Sequence, residues 1–314
     1  MLVPLRTSGT PSPSAREPQD PGYGGYVRRS KCASGARPLL HKLLMVLGLC
    51  AALPVQGSWG QDENWQVGLS AYYSSGTYGS GSRTDILSIP LSIRRMFQDG
   101  DVTLTIPYLS VTGDCNVTLI SGVPNRTGGT CPTQTVVRNG RTVQTRTSNT
   151  RTTQSGIGDV LLQGRYYVLD EKDWLPTIAL IARLKLPTAD RDRGLGTGEF
   201  DEKFGAQLSK NLTDKWIAFA DIGYTFIGSP PGVELKNQWN YDIGVGYYLT
   251  PNLLASVYYE YWTAVVSGLQ DPQDLYFDLS YKLTQTFRLN AGFLVGLTNG
   301  APDYGLTGGL AARF

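Results

Sequence analysis

The chain has 314 residues, including 37 glycines and 18 tyrosines, and only 17% of its residues are charged. Soluble α/β enzymes carry about a quarter charged residues and more helix formers, so the composition disfavours that class and indicates strands and turns. The formal net charge is +2, and the basic residues are scattered among acidic ones. No basic patch therefore points to nucleic acid as a partner.

The first 60 residues are expected to form a leader region. Residues 1–36 are rich in Pro, Gly, Ser and Arg and lack periodicity, which indicates disorder or sequence upstream of the true start. A basic segment at 37–42, an apolar run at 43–53 and small residues after it predict a secretory signal peptide at about 37–60. The apolar run is shorter than the ~20 residues of a membrane-spanning helix, and a buried helix of a soluble protein is the alternative.

From Asn64 onward, apolar residues recur at every second position. In the stretch 239–249, for example, Tyr241 and Ile243 alternate with Asp242 and Gly244. Such alternation predicts long strands with two chemically different faces. The predicted strands span 64–76, 84–97, 101–112, 155–169, 174–187, 200–211, 215–227, 237–249, 252–263, 274–283, 286–297 and 303–314.

The two faces of the last five predicted strands differ in charge. One face is apolar and uncharged, whereas the other carries Asp242, Glu260, Asp278, Lys282, Arg288 and Arg313. A Lys or Arg facing lipid at the membrane midplane costs ~2–4 kcal/mol, so reversing the faces would cost on the order of 10 kcal/mol. The apolar face is therefore expected to contact lipid and the polar face to line an interior.

The connections between these strands alternate between short turns and longer loops, as in outer-membrane proteins. The predicted fold class is all-β, a transmembrane antiparallel up-and-down β-barrel of about twelve strands over residues 61–314. This fold places the protein in the cell outer membrane, in contact with its lipid. A soluble β-sandwich is the alternative, but it gives no reason for uncharged aromatic residues along whole strand faces.

The longest connection, 113–154, is expected to lie outside the membrane. It contains a hairpin signal, Asn139-Gly140, between two alternating segments. Its arginines are expected to meet lipopolysaccharide phosphates or to help select solutes: Arg126, Arg138, Arg141, Arg146 and Arg151.

The same connection holds Cys115 and Cys131, the cysteine pair that remains once Cys32 and Cys50 leave with the leader. No histidine lies beside them, which disfavours zinc. In an oxidising compartment the pair is expected to form a disulfide worth ~3 kcal/mol.

Three short motifs follow this connection: Gly156-Ile-Gly-Asp159, Leu184-Lys-Leu-Pro-Thr-Ala-Asp190 and Leu195-Gly-Thr-Gly198. Together they resemble the transporter-like barrels grouped as the putative meta-pathway phenol-degradation family, over about residues 64–314. The resemblance implies an outer-membrane barrel, in some members located beside pathways for aromatic compounds. Read physically, Pro187 ends strand pairing and the glycines allow a tight external loop before Phe200.

The polar face supplies charged residues of both signs as candidates for lining the interior. These are Arg94, Asp159, Arg165, Arg183, Lys185, Asp201, Lys203, Asp221, Asp242, Glu260, Asp278, Lys282 and Arg288. Aromatic residues on the same face are expected to stack on a solute or to fill space: Tyr72, Tyr167, Phe219, Tyr248, Tyr258, Trp262 and Tyr276.

The chain ends at Phe314 on the apolar face, after Leu310 and Ala312. This ending resembles the C-terminal signal by which bacterial barrels are recognised, so the barrel-assembly machinery is an expected partner. Tryptophans near strand ends suit the headgroup region of a membrane: Trp65, Trp174, Trp216, Trp239 and Trp262.

Little in the sequence points to catalysis. The only histidine is His41, in the leader, which excludes Ser-His nucleophilic catalysis and histidine metal sites from the rest of the chain. Acid–base catalysis by Asp242, Glu260 and Asp278 is one interpretation of the inward carboxylates. The favoured alternative is a lumenal charge network in which Lys282 and Arg288 are their partners. We expect no enzyme, no cofactor and no metal.

The predicted function is passive uptake or diffusion of a small solute, aromatic or hydrophobic in character, through an outer-membrane barrel. The alternative is a closed structural barrel whose loops bind partners without transport. The lumen of a twelve-stranded barrel is expected to be wider than the filled interior of eight strands and narrower than a porin channel.

Overall fold

A computed structural model describes residues 64–79, 82–113 and 151–314, together with the backbone of four short strands between 117 and 146. The leader, its predicted signal peptide, Cys115 and Cys131 lie outside the described residues. In the part of the chain that is described, no helix is long and apolar enough to span a membrane.

The structure consists of antiparallel strands. They are β1 (Trp65–Gly76), β2 (Thr84–Phe97), β3 (Gly100–Gly113), β4 (Val117–Ile120), β5 (Val123–Arg126), β6 (Thr133–Arg138), β7 (Arg141–Arg146), β8 (Thr152–Ile157), β9 (Val160–Leu169), β10 (Thr177–Leu186), β11 (Asp201–Asn211), β12 (Trp216–Ile227), β13 (Gln238–Thr250), β14 (Leu253–Trp262), β15 (Gln273–Lys282), β16 (Phe287–Gly296) and β17 (Tyr304–Arg313). Thirteen of them form one sheet that closes because β1 pairs with both β2 and β17.

The closed sheet is a twelve-stranded barrel, because β8 and β9 are two halves of one barrel strand that both pair with β3. This confirms the predicted fold class, and the predicted strand bounds agree closely with those observed. β6 and β7 pair antiparallel with Arg138 opposite Arg141, as a hairpin requires, while its predicted turn residues Asn139 and Gly140 lie outside the described residues.

The break between β8 and β9 is a one-residue bulge. Two residues of β3, Ile106 and Pro107, lie opposite three residues, 158–160. The backbone N–H of Gly158 still donates to the carbonyl of Pro107 at 2.8 Å. A bulge shifts the alternation by one position, so inward residues are even-numbered in β8 and odd-numbered in β9. The sequence predicted one uninterrupted strand here.

The faces of the barrel differ as predicted. Large apolar side chains cover the outer surface, among them Leu69, Leu180 and Ile243, each more than half exposed. Their sequence neighbours Ser70 and Asp242 point inward and are buried. An exposed apolar band around a closed barrel suits contact with lipid rather than water.

The tryptophans within the described residues divide between these two faces. Four lie exposed at strand ends or in adjoining turns: Trp65, Trp174, Trp216 and Trp239. Trp262, which the sequence assigned to both sets, lies on the inner side, where the ammonium of Lys203 sits 5.2 Å from the ring centroid. It therefore belongs to the interior rather than to an interfacial belt.

The short turns and the long connections lie at opposite ends of the barrel. We call the end with turns such as 98–99 and 251–252 the turn end, and the end with connections such as 187–200 and 263–272 the loop end. In outer-membrane barrels, short turns face the periplasm and longer loops face outward.

Candidate functional site

The barrel interior is the candidate site. All thirteen charged residues named from the sequence lie on its inner side, following the alternation of buried and exposed positions along each strand. They form separate groups at different heights rather than one network. Asp242 and Glu260 lie near the loop end, whereas Lys282 and Arg288 lie at the turn end. The predicted partnership of these two pairs is therefore wrong.

A basic group lies near the turn end. Arg94 and Arg165 approach the same oxygen of Asp101, at 2.6 and 3.7 Å. Arg288 lies within electrostatic range of Arg94 and Arg313. Asp101 was not among the residues predicted to line the interior. It directly follows the turn before β3, and its place on the same face of that strand as Thr103 was the available signal.

A row of carboxylates crosses four adjacent strands toward the loop end. Asp221 lies directly opposite Asp242, Asp242 opposite Glu260, and Glu260 opposite Asp274. Directly opposed like charges are destabilising, so nearby cations and amides matter. The amide of Asn240 donates to Asp221 at 3.1 Å.

Two cations lie near this acidic row. Lys203 is 3.9 Å from a carboxylate oxygen of Asp221. Arg183 interacts electrostatically with Asp221 and Asp242. The sequence missed Asp274 as a member of the row, because the predicted strand started at that residue.

An aromatic row runs beside the acidic row, two residues nearer the turn end on β12 to β15. The register aligns Phe219, Gly244, Tyr258, Tyr276 and Leu294 directly across five strands. The ring centroids of Phe219 and Tyr258 are 5.5 Å apart, and those of Tyr258 and Tyr276 are 6.3 Å apart. These separations are typical of interacting aromatic pairs.

Glycines let the rings of this row lie against the barrel wall. A Cβ atom at Gly244 would be 2.2 Å from Cδ1 of Tyr258, and one at Gly292 would be 2.1 Å from the hydroxyl of Tyr276. Tyr72, on β1, completes the cluster. The interior therefore presents an aromatic strip next to the acidic row.

We predict that Gly244→Val lowers the single-channel conductance of the reconstituted barrel. A Cβ at Gly244 would lie 2.2 Å from the ring of Tyr258 and 2.8 Å from the carbonyl oxygen of Val257. The ring must therefore move off the wall into the lumen, and the neighbouring backbone must also shift. Gly308→Val is the matched control, since a Cβ at Gly308 meets nothing within 4 Å. Equal conductance of the two variants would contradict the role given to Gly244.

The three sequence motifs converge on a buried lysine at the loop end. The ammonium of Lys185 lies 2.9 Å from Asp201, 3.3 Å from Asp159 and 2.8 Å from the hydroxyl of Thr197. Only 1% of Lys185 is exposed. Asp159 also accepts the backbone N–H of Ala189 at 3.0 Å. The bulge gives Asp159 its inward direction, so each motif contributes to one polar cluster.

The connection 187–200 folds toward the interior wall instead of forming only an external turn. Leu195 is 1% exposed and packs with inward-facing Ile86, Leu109 and Val111 of β2 and β3. Two of its glycines, Gly194 and Gly198, have positive φ values of 72° and 75°. The sequence predicted the glycine-dependent turn, but it did not predict that the connection turns inward.

Tyr78, from the connection between β1 and β2, joins the same apolar cluster. Its hydroxyl lies 2.8 Å from the hydroxyl of Ser74. Burial raises the pKa of this phenol well above its ordinary value. Nearby, the guanidinium of Arg151 pairs with Asp85, while the side chains of the other arginines in 113–154 lie outside the described residues.

A family model, described as "Putative MetA-pathway of phenol degradation", matches residues 116–314. The chain belongs to this family. The match covers all three motifs around Lys185 and confirms the resemblance drawn from them. No curated protein matches this sequence.

Several solved structures align with this chain. The COG4313 outer membrane channel from Pseudomonas putida F1 aligns with 12% identity and a TM-score of 0.56, over 83% of this chain and 100% of that chain. The translocator domain of the autotransporter NalP from Neisseria meningitidis gives 11% identity and 0.46, over 87% and 96%. The CymD monoaromatic hydrocarbon channel gives 10% and 0.42, over 81% and 89%. The first alignment supports the fold of an outer-membrane β-barrel for this family member.

Proposed function

We propose that this barrel passively moves a small solute, aromatic or hydrophobic in character, across the outer membrane. The aromatic row inside the barrel carries the proposal. Its rings are tilted and buried against one another, with Tyr258 4% and Tyr276 2% exposed, so a solute would pass by replacing ring–ring contacts with apolar contacts of its own. The charged residues above and below the row would keep the rest of the lumen hydrated. Membership of a family described by phenol degradation favours an aromatic solute.

The test uses the full chain, refolded and reconstituted in liposomes, with 4-nitrophenol as the probe solute. We expect Tyr258→Ala with Tyr276→Ala to slow its entry roughly two- to tenfold, since losing ring contacts costs about 0.5–1.5 kcal/mol. Phe277→Ala is the matched control, because Phe277 lies beside Tyr276 on β15 but is 44% exposed on the outer face. Wild-type liposomes no more permeable than empty ones would overturn the proposal.

The rival function is a closed barrel whose loops bind partners without transport. The inward course of 187–200 is the observation in its favour. Planar-bilayer recording separates the two functions, since a closed barrel passes no current. We infer no catalytic role; turnover of a substrate that was lost on neutralising Asp242 or Glu260 would contradict this.

Export and assembly complete the proposal. We infer that a signal peptide at about 37–60 directs export, and that Phe314 takes part in recognition by the barrel-assembly machinery. We also infer a Cys115–Cys131 disulfide in the 113–154 connection, whose arginines would meet lipopolysaccharide phosphates. Mass spectrometry of the exported protein, with and without reductant, tests both the cleavage position and the disulfide.

A further inference from the structure

The connection 187–200 is attached to the interior wall at several independent points. Leu195 inserts between apolar side chains of β2 and β3. Gly196 lies so close to Asp159 that an added Cβ would be 2.7 Å from its carboxylate. The hydroxyl of Thr188 donates to the carbonyl of Gly158 and accepts the backbone N–H of Val160, both at 2.9 Å. The whole segment is therefore held in one place.

Lys185 ties these attachments together. It stands on β10, at the start of the connection, and its three partners come from different places. Asp159 belongs to the bulge, Thr197 to the connection itself, and Asp201 to the first position of β11. The ammonium has three N–H donors, so it can donate one hydrogen bond to each of the three partners. The arrangement fixes Thr197, near the end of the connection, to β10, where the connection begins.

This segment is one of several connections that pack at the loop end, where Leu235 and Val265 of two others pack with Ile227. Starting between β10 and β11, it passes in front of the β8–β9 strand and reaches β3 and β2. It thus contacts the inner side of three barrel strands beyond the two that it connects. A solute entering from the loop end must pass the surface of this segment before it meets the aromatic row.

We propose that the connection 187–200 is the constriction that sets the size limit for solutes, and that Lys185 is its positioning residue. The inference rests on the proposed transport function and specifies which part of the barrel selects among solutes. Loosening the segment widens the entrance without altering the aromatic row below it.

Two variants test this. In one, residues 190–198 are replaced by Gly-Ser-Gly, which removes the segment that reaches β2 and β3. In the other, Asp159→Asn, Lys185→Met and Asp201→Asn are combined, which removes the ionic attachments without leaving a buried charge uncompensated. Planar-bilayer conductance and liposome swelling with sugars of increasing size are the measurements. We expect at least a twofold larger conductance for the truncated barrel, a smaller increase for the triple variant, and entry of sugars that the wild type excludes.

The matched control is Lys210→Met, which removes a lysine of β11 that lies 3.0 Å from Glu171 at the turn end, away from the connection. It should leave the size limit unchanged. If wild type and truncated barrel share one conductance and one size limit, the constriction is wrong while transport stands. Should only the truncated barrel conduct, the constriction holds and the proposed transport falls. If neither conducts, both proposals fall.

Discussion

Replacing Lys185 by methionine is expected to lower the free energy of unfolding of the barrel by about 3–5 kcal/mol, since removing one partner of a buried ion pair leaves an uncompensated charge. Here two carboxylates lose their cation at once, because Asp159 and Asp201 both lie within 3.3 Å of the ammonium and both are buried. Guanidinium unfolding of the refolded protein in detergent, followed by tryptophan fluorescence, measures the shift.

The triple variant with Asp159→Asn and Asp201→Asn isolates the electrostatic part of this effect. Asparagine keeps an oxygen that can accept the backbone N–H of Ala189 and of Gly228, as the two aspartates do now. We expect it to recover most of the lost stability, because no buried carboxylate then lacks a cation. Equal stability of the single and triple variants would mean that the repulsion of the carboxylates is not the cause.

The period-two pattern predicted the barrel because lipid penalises charge at every outward position. That constraint acts on each residue separately, so it is visible in the sequence, as in the pair Ile243 and Asp242. The bulge at 158–160 gave a weaker sequence signal. The inward positions change from even at Gly156 to odd at Asp159, and the two nearby glycines hid that change of parity.

The sequence predicted which residues face the interior, but it did not predict which of them lie together. The acidic and aromatic rows depend on register, which sets Asp242 opposite Glu260 and Tyr258 opposite Tyr276. Register follows from turn geometry and bulges across neighbouring strands, which a list of inward residues does not contain. The inward fold of 187–200 depends on Leu195 reaching strands far away in sequence, so a local reading gives only a glycine-rich turn.

The assignment of outer and inner faces predicts opposite results for the same substitution at adjacent positions. Ala291 lies on the exposed outer face near the middle of β16, and Asn290 beside it faces inward. We expect Ala291→Arg to cost about 2–4 kcal/mol of folding free energy in a bilayer, because its charge would meet hydrocarbon at midplane depth. Asn290→Arg should cost less than about 1 kcal/mol, since its side chain stays in the polar interior.

Folding of both variants into lipid vesicles, followed by reversible guanidinium unfolding, measures this difference. The two substitutions place the same side chain at adjacent positions of the same strand. Only the solvent on each side of the barrel wall differs. Equal stability of Ala291→Arg and Asn290→Arg would mean that the outer face does not contact lipid, and the aromatic row could then no longer be regarded as the lining of a transmembrane passage.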